Sequence, residues 1–267
     1  MNNKRNSLRL ALAALSLASL AGLGSTALAQ SYPARPVTLV VPTATGGTTD
    51  FSARLLAQPL GTALGQSVVV ENRPGASNTI AADLTAKAQP DGHTLLVATN
   101  TGQAIAPHLL KLNFDPLKDL TPVGLVVTVP NVLVVGSQVP VNSVAELVTA
   151  MKAKPGDFKY ASSGVGSTQH IAGEGFDMAA GTKSLHVPYK GSSQAHLDII
   201  AGNVQIMFDT TSSAMGNIKS GKFKALAVTT PRRSAELPQV PTLAEAGVSG
   251  FEMSTWYAMF VTGGTPP

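Results

Sequence analysis

The stretch PVTLVVPTATGGTTDFSARLLA, Pro36 to Ala57, changes from one local structure to another within a few turns of chain. Val37–Val41 is an unbroken run of β-branched and apolar residues, the pattern of a strand buried on both faces. Pro42-Thr-Ala-Thr-Gly-Gly-Thr48 interrupts it, and a helix is expected to open near Thr49 or Asp50 and reach Leu64. A strand, a small-residue loop and a helix in that order make the first half of a parallel βαβ unit. Pro59 lies inside the helix and has no N–H to bond, which predicts a kink or an early break near Gln58.

The alternation repeats along the chain. Val68–Val70, Thr94–Ala98, Val123–Thr128, Asn131–Gly136, Ser184–Pro188, Val204–Phe208 and Ala225–Thr229 read as strands. Asn78–Ala88, Ser143–Lys152, Thr168–Ala180, Ser192–Ala201 and Ser212–Ser220 read as helices. Strands separated by helices of this length imply an α/β protein built from mainly parallel sheets flanked by helices. In such folds ligands sit in the crevice at the carboxyl ends of strands.

Three loops of suitable chemistry occupy such positions: Thr43–Thr48, Ala98–Gly102 with Thr99 and Asn100, and Ser162–Ser167. Helix starts leave N–H groups unpaired and carry partial positive charge. Small residues such as Gly46, Gly47, Gly164 and Gly166 let an anion approach those groups, and Thr45, Thr48, Ser163 and Ser167 add hydroxyls. A carboxylate can be held there without a basic side chain. Ser167 and Asp50 also fit the simpler role of helix caps.

Other chemistries find less support. Neither glycine pair sits in GxxxxGK[ST], and no GxGxxG opens a helix, which argues against phosphate-cleaving and dinucleotide sites. Without cysteine there are no disulfides or thiolate ligands. The five histidines show no HExxH spacing, so no metal is expected. GxSxG is absent, although Ser, His and Asp all occur, and a periplasmic ester hydrolase remains the rival reading.

The amino terminus sets the compartment. Lys4, Arg5 and Arg9 precede the uncharged apolar run Leu10–Leu23, and Ala27-Leu28-Ala29 supplies a small-x-small site. This is the order of a secretory signal peptide, with the cut expected between Ala29 and Gln30. Three of the 19 basic residues lie in that segment, which leaves 16 against 15 acids and a net charge of +1. Such a balance gives no electrostatic reason to bind nucleic acid.

Longer segments carry a resemblance. YPARPVTLVVP (Tyr32–Pro42), GGTTDFSARLLA (Gly46–Ala57), VVVENRPGA (Val68–Ala76) and KAQPDGHTLL (Lys87–Leu96) come first. YASSGVGSTQH (Tyr160–His170), HVPYKGSSQAHLDIIAGNVQIMFD (His186–Asp209) and LPQVPTLAEAGVSGFE (Leu237–Glu252) follow in the same order. Together they resemble the receptors of tripartite tricarboxylate transporters, the Bug family.

The resemblance implies a two-lobed, type II-like periplasmic binding protein, each lobe a mainly parallel sheet flanked by helices. Lobe 1 would span 30–131, lobe 2 132–252, and 253–267 would return to lobe 1. It implies a small carboxylate held between the lobes, partly through ordered water, and delivered to membrane permease subunits. A ligand-presenting sensor for a membrane kinase would use the same closed form. No cofactor, no catalytic residue and a monomeric working unit are expected.

The near loop corresponds to Thr43–Thr48 and the far loop to Ser162–Ser167. Asp209 and Thr210 stand where the family faces the ligand's distal end, although Asp209 could instead cap the helix at Ser212. Thr43-Ala44-Thr45 replaces the family's Pro-rich start, and Ser77-Asn78 replaces a Gly pair; side chains there enter the cleft or cap the next helix, and capping is favoured. Relatives continue beyond Pro267 into further helices of lobe 1, so a longer chain is expected. The lone Trp256 lies near the return to lobe 1 and is a candidate reporter of closure.

Overall fold

The computed structural model describes Tyr32–Pro267. The expected signal peptide and its cut after Ala29 lie outside the described residues. Among the described residues nine strands form two five-stranded groups that share one long strand. In the first lobe β1 (Val37–Val41) lies between β2 (Val68–Asn72) and β3 (Thr94–Thr99), all parallel. β9 (Ser254–Thr262) pairs antiparallel with β3, and the first part of β4 (Leu120–Gly136) pairs antiparallel with β9.

In the second lobe the far part of β4 lies between β7 (Ile206–Thr210) and β8 (Phe223–Val228), antiparallel to both. β5 (Lys159–Ser162) runs parallel to β7, and β6 (Leu185–Pro188) parallel to β5. In each group four strands therefore point one way and one runs against them: β9 in the first lobe, β4 in the second. The sheets are mainly parallel, and the reversed strands are the two that carry the chain between lobes.

Among the described residues seven α-helices cover the sheets: α1 (Thr48–Leu64), α2 (Thr79–Ala86), α3 (Ala106–Leu109), α4 (Val144–Ala153), α5 (Thr168–Ala180), α6 (Ser192–Ala201) and α7 (Thr211–Lys219). Alternate strand residues feed cores on opposite faces, as the continuous apolar runs require. Leu39 and Val97 pack with Ala53 and Leu56 of α1, whereas Val40, Leu96 and Ala98 pack with Ala81 and Ala82 of α2. In the second lobe Leu133, Tyr160 and Phe208 join Phe176 of α5, and Val134, Ala161 and Met207 join Ile199 of α6. Gly173 of α5 faces the Tyr160 ring so closely that a Cβ there would overlap it.

Two expectations change. Val123–Thr128 and Asn131–Gly136 are one 17-residue strand, not two. The φ of Pro130 suits extended chain, and its missing N–H falls where the ladder partner changes from β9 to β7. α1 also runs through Pro59 to Leu64 without a break. Leu55 and Pro59 are both exposed, so water can satisfy the carbonyl that proline leaves unpaired. β5 was not legible as a strand, because Tyr160 and Ala161 are its only apolar residues.

Candidate ligand cleft

β1, β3 and β7 each end at the interface between lobes, and the loops and helix starts that follow wall a cavity of about 30 Å³. That volume holds about one or two waters. The lobes are closed on it by direct hydrogen bonds. Thr48 Oγ1 of the first lobe lies 2.8 Å from both Thr210 Oγ1 and Ser212 Oγ of the second. Ser193 Oγ donates to the Thr45 carbonyl at 3.1 Å, and Ser77 Oγ donates to the Val165 carbonyl.

Among the described residues no Asp, Glu, Lys, Arg or His side chain lines the cavity. Its charge preference comes from helix ends. Thr48 and Thr49 open α1, Thr168 and Gln169 open α5, Ser192 opens α6, and Thr210 precedes α7; all six reach the cavity wall. Four positive helix ends around one small space favour an anion. Thr43, also on the wall, has a buried hydroxyl with no hydrogen-bond partner. Tyr257 of β9 completes the floor, its phenol pKa raised by burial and, further, by the charge of Asp209.

Of the residues named from sequence, Thr43, Gly47, Thr48, Thr99, Ser163 and Thr210 meet at this wall. Thr45, Gly46, Asn100, Gly164, Gly166, Ser167 and Asp209 do not, and each has another engagement. Thr45 is exposed, and the Gly46 amide donates to Asp50 Oδ2 at 3.1 Å. Asp50 thus closes back on the loop before α1, in the manner of the acidic half of a capping box. Burial would raise its pKa, but hydrogen bonds from Arg54, Gly46 and Asn72 outweigh this and lower it. Asn100 is tied to the Ser254 carbonyl at 2.9 Å.

The far loop corrects the expectation of free amides. Gly164 N–H donates to Ser162 Oγ at 3.1 Å, and Gly166 N–H donates to His170 Nδ1 at 3.0 Å. Ser167 takes the simpler of its two roles and caps α5, accepting from His170 N at 3.2 Å. Ser77 and Asn78 depart from the expected capping. Ala76, Ser77 and Asn78 all have left-handed φ (43°, 54° and 72°), and the Asn78 side chain makes no capping hydrogen bond to α2. Asn78 Nδ2 instead donates to Thr99 Oγ1 at 3.0 Å, and Asn78 joins the cavity wall.

Asp209 neither faces the cavity nor caps α7. Fully buried, it accepts from Ser192 Oγ at 2.8 Å and pairs with His196 Nε2 at 2.6 Å. His196 Nδ1 lies 3.2 Å from Asn217 Nδ2, which suits the tautomer with its proton on Nε2. Burial would raise the Asp209 pKa; hydrogen bonding to His196 and Ser192 reverses this and lowers it. Below the far loop, His170 and His186 stack with ring centroids 4.0 Å apart, and His186 Nε2 lies 2.6 Å from Ser162 Oγ. Burial, with the neighbouring His170, depresses the pKa of His186 to about 4.

Asn78, for which cleft entry was the second alternative, lines the cavity, as do Thr49, Thr101, Thr168, Gln169, Gly191, Ser192, Thr255 and Tyr257, which were not singled out from sequence. The starts of α5 and α6 were legible and could have pointed to Thr168 and Ser192. Thr255 and Tyr257 could not be placed without knowing that β9 returns between β3 and β4.

Two α/β lobes, joined by paired crossing strands and closed over an uncharged, anion-attracting cavity, define a solute-binding receptor. The chain belongs to the tripartite tricarboxylate transporter family receptors, whose profile matches residues 52–267. It is 39% identical to protein BugT of Bordetella pertussis over 249 residues, covering 92% of this chain and 76% of that protein. Among solved structures it is similar to R. palustris Rpa4515 with adipate, at TM-score 0.85 and 40% identity, covering 88% of this chain and 79% of that one. MatC of Rhodopseudomonas palustris with bound malate gives TM-score 0.84 and 35% identity, covering 88% and 80%. Among the described residues no helix is long and apolar enough to cross a membrane.

Proposed function

We propose that this protein is a periplasmic receptor that captures a small carboxylate between its lobes and delivers it to the membrane permease subunits of a tripartite transporter. The observation that carries the reading is the convergence of four helix starts on one cavity without a charged side chain. A carboxylate entering there gains from N–H groups and hydroxyls of both lobes at once, so binding favours the closed form. Thr43, Gly47, Thr48 and Thr49 hold the carboxylate from the first lobe, and Thr168 and Thr210 from the second. Adipate and malate, bound by relatives, mark the size class. The cavity must widen to admit them, and hinge opening at the crossing strands supplies that room.

Calorimetry and thermal unfolding with aliphatic and aromatic carboxylates test the proposal. A bound ligand raises the unfolding temperature in proportion to its occupancy of the folded state. Gly47→Val is the matching variant. The backbone at Gly47 (φ −87°, ψ 169°) accepts a side chain, and nothing but Thr43 Oγ1 lies within 4 Å of a Cβ there. The variant is expected to fold normally and to lose binding at least about tenfold, the value of a displaced charge-assisted hydrogen bond. No thermal shift across the whole panel, or unchanged affinity in Gly47→Val, would overturn the reading.

A further inference from the structure

The cavity is polarised. Its first-lobe end offers the start of α1 and the unpartnered Thr43 hydroxyl, both donors. On the second-lobe side, beside the N–H groups that open α5 and α6, the side-chain protons of Ser163 and Ser192 are turned to partners within the protein. Ser163 Oγ donates to Gln169 Oε1 at 2.8 Å, Gln169 Nε2 is directed at Asp209 Oδ1 at 3.5 Å, and Ser192 Oγ donates to the same oxygen at 2.8 Å. Asp209 is wholly buried and, as a carboxylate, can only accept. A hydroxyl has one proton, so Ser192, with its proton committed to Asp209, can present only lone pairs to the cavity.

We infer that Asp209 is a positioning residue: by holding the Ser192 proton it sets one fixed hydrogen-bond acceptor among the helix-start donors of the second-lobe wall, so that the preferred ligand is a carboxylate that also carries a donor group, a hydroxyl or an ammonium. The inference rests on the carboxylate-receptor reading and adds its specificity. A second carboxylate turned toward Ser192 would meet lone pairs and, behind them, a fixed negative charge. A hydroxyl or ammonium there would find an acceptor already oriented. Sites built to pair a polar group reject analogues that lack it, because the buried partner is left unsatisfied.

Matched ligands separate the possibilities: succinate against malate and aspartate, and glutarate against 2-hydroxyglutarate and glutamate, each in both enantiomers, by calorimetry on the purified receptor. The wild type is expected to bind a donor-bearing member about tenfold more tightly than its plain counterpart, the effect of one buried hydrogen bond. Hydroxy acids and amino acids report separately which donor is used. In Asp209→Asn the amide oxygen can still accept from His196 while the amide nitrogen donates to Ser192 Oγ. This frees the serine proton toward the cavity, and the tenfold preference should fall to parity or reverse. Ser192→Ala removes the acceptor while leaving the Asp209–His196 pair intact, and should also bring the ratio to about one. It decides the matter if Asp209→Asn does not fold.

A change of all affinities by one common factor would show a merely structural role and overturn the inference. So would a wild type that prefers the plain dicarboxylate in every set. Binding without preference sinks the inference alone, whereas silence from the whole panel sinks the carboxylate reading and the inference with it.

Discussion

His186 shows how one side chain couples the far loop to pH. Its Nε2 contacts Ser162 Oγ, which in turn accepts from the Gly164 amide, and its ring stacks on both His170 and Tyr160. Burial favours the neutral ring and brings its pKa from 6.5 to about 4. The unfolded chain therefore binds the proton first. Stability from this site is complete above pH 6.5 and is lost as pH falls toward 4. The pKa of His170 is lowered in the same sense, chiefly by burial. The lowered carboxylates Asp50 and Asp209 titrate below this window. The unfolding temperature is thus expected to drop between pH 7 and pH 4.5, with a shallower drop in His186→Gln. Equal slopes in the two proteins would show that the stacked pair is not the source.

At the scale of elements, β4 does what a pair of separate strands could not. It leaves one sheet at Pro130 and enters the other at Asn131, keeping the backbone paired on both sides of the crossing. Asn131 fixes that point. It is fully buried, its Nδ2 donates to the Phe208 carbonyl at 3.0 Å, and its Oδ1 accepts from Thr255 of β9 at 3.0 Å. One side chain therefore ties β4 to both β7 and β9. Asn131→Ala leaves a buried carbonyl and a buried hydroxyl short of a partner, and is expected to cost about 1–3 kcal/mol in chemical unfolding. A loss below about 0.5 kcal/mol, the level of an ordinary surface change, would mean the crossing is held by backbone pairing alone.

Across the whole molecule, closure depends on few contacts between lobes. Thr48 makes two of them, to Thr210 and Ser212. Thr48→Val keeps the shape and removes both. The closed population with a carboxylate bound is expected to fall by about tenfold, the worth of one to two hydrogen bonds. Small-angle scattering would register this as a ligand-bound radius of gyration closer to the ligand-free value. Trp256 offers a second readout, since its neighbours Thr255 and Tyr257 line the cavity. Identical compaction in the variant and the wild type would assign closure to other contacts.

The alternation of apolar runs and amphipathic segments was enough to place β1, α1, α5 and α6 almost residue for residue, because periodicity and helix boundaries are local. The loop Thr43–Thr48 could be recognised for the same reason: glycine, threonine and a following helix act within one turn. Pro59 misled, since the penalty of a missing N–H depends on whether water can absorb it. Ser77 and Asn78 are not caps: Ser77 donates to Val165 of the opposite lobe and Asn78 to Thr99 of β3, partners distant in sequence. The cavity itself belongs to the tertiary structure. Thr48, Gln169, Ser192, Thr210 and Tyr257 are far apart in the chain, and only the two crossing strands bring them together. Sequence determined that helix starts with small, hydroxyl-bearing residues were available to hold an anion. The packing of the lobes decided which amides and hydroxyls were already spent, and gave Asp209 its place behind the wall, because a hydrogen-bond donor has one proton and its direction is fixed by the nearest acceptor.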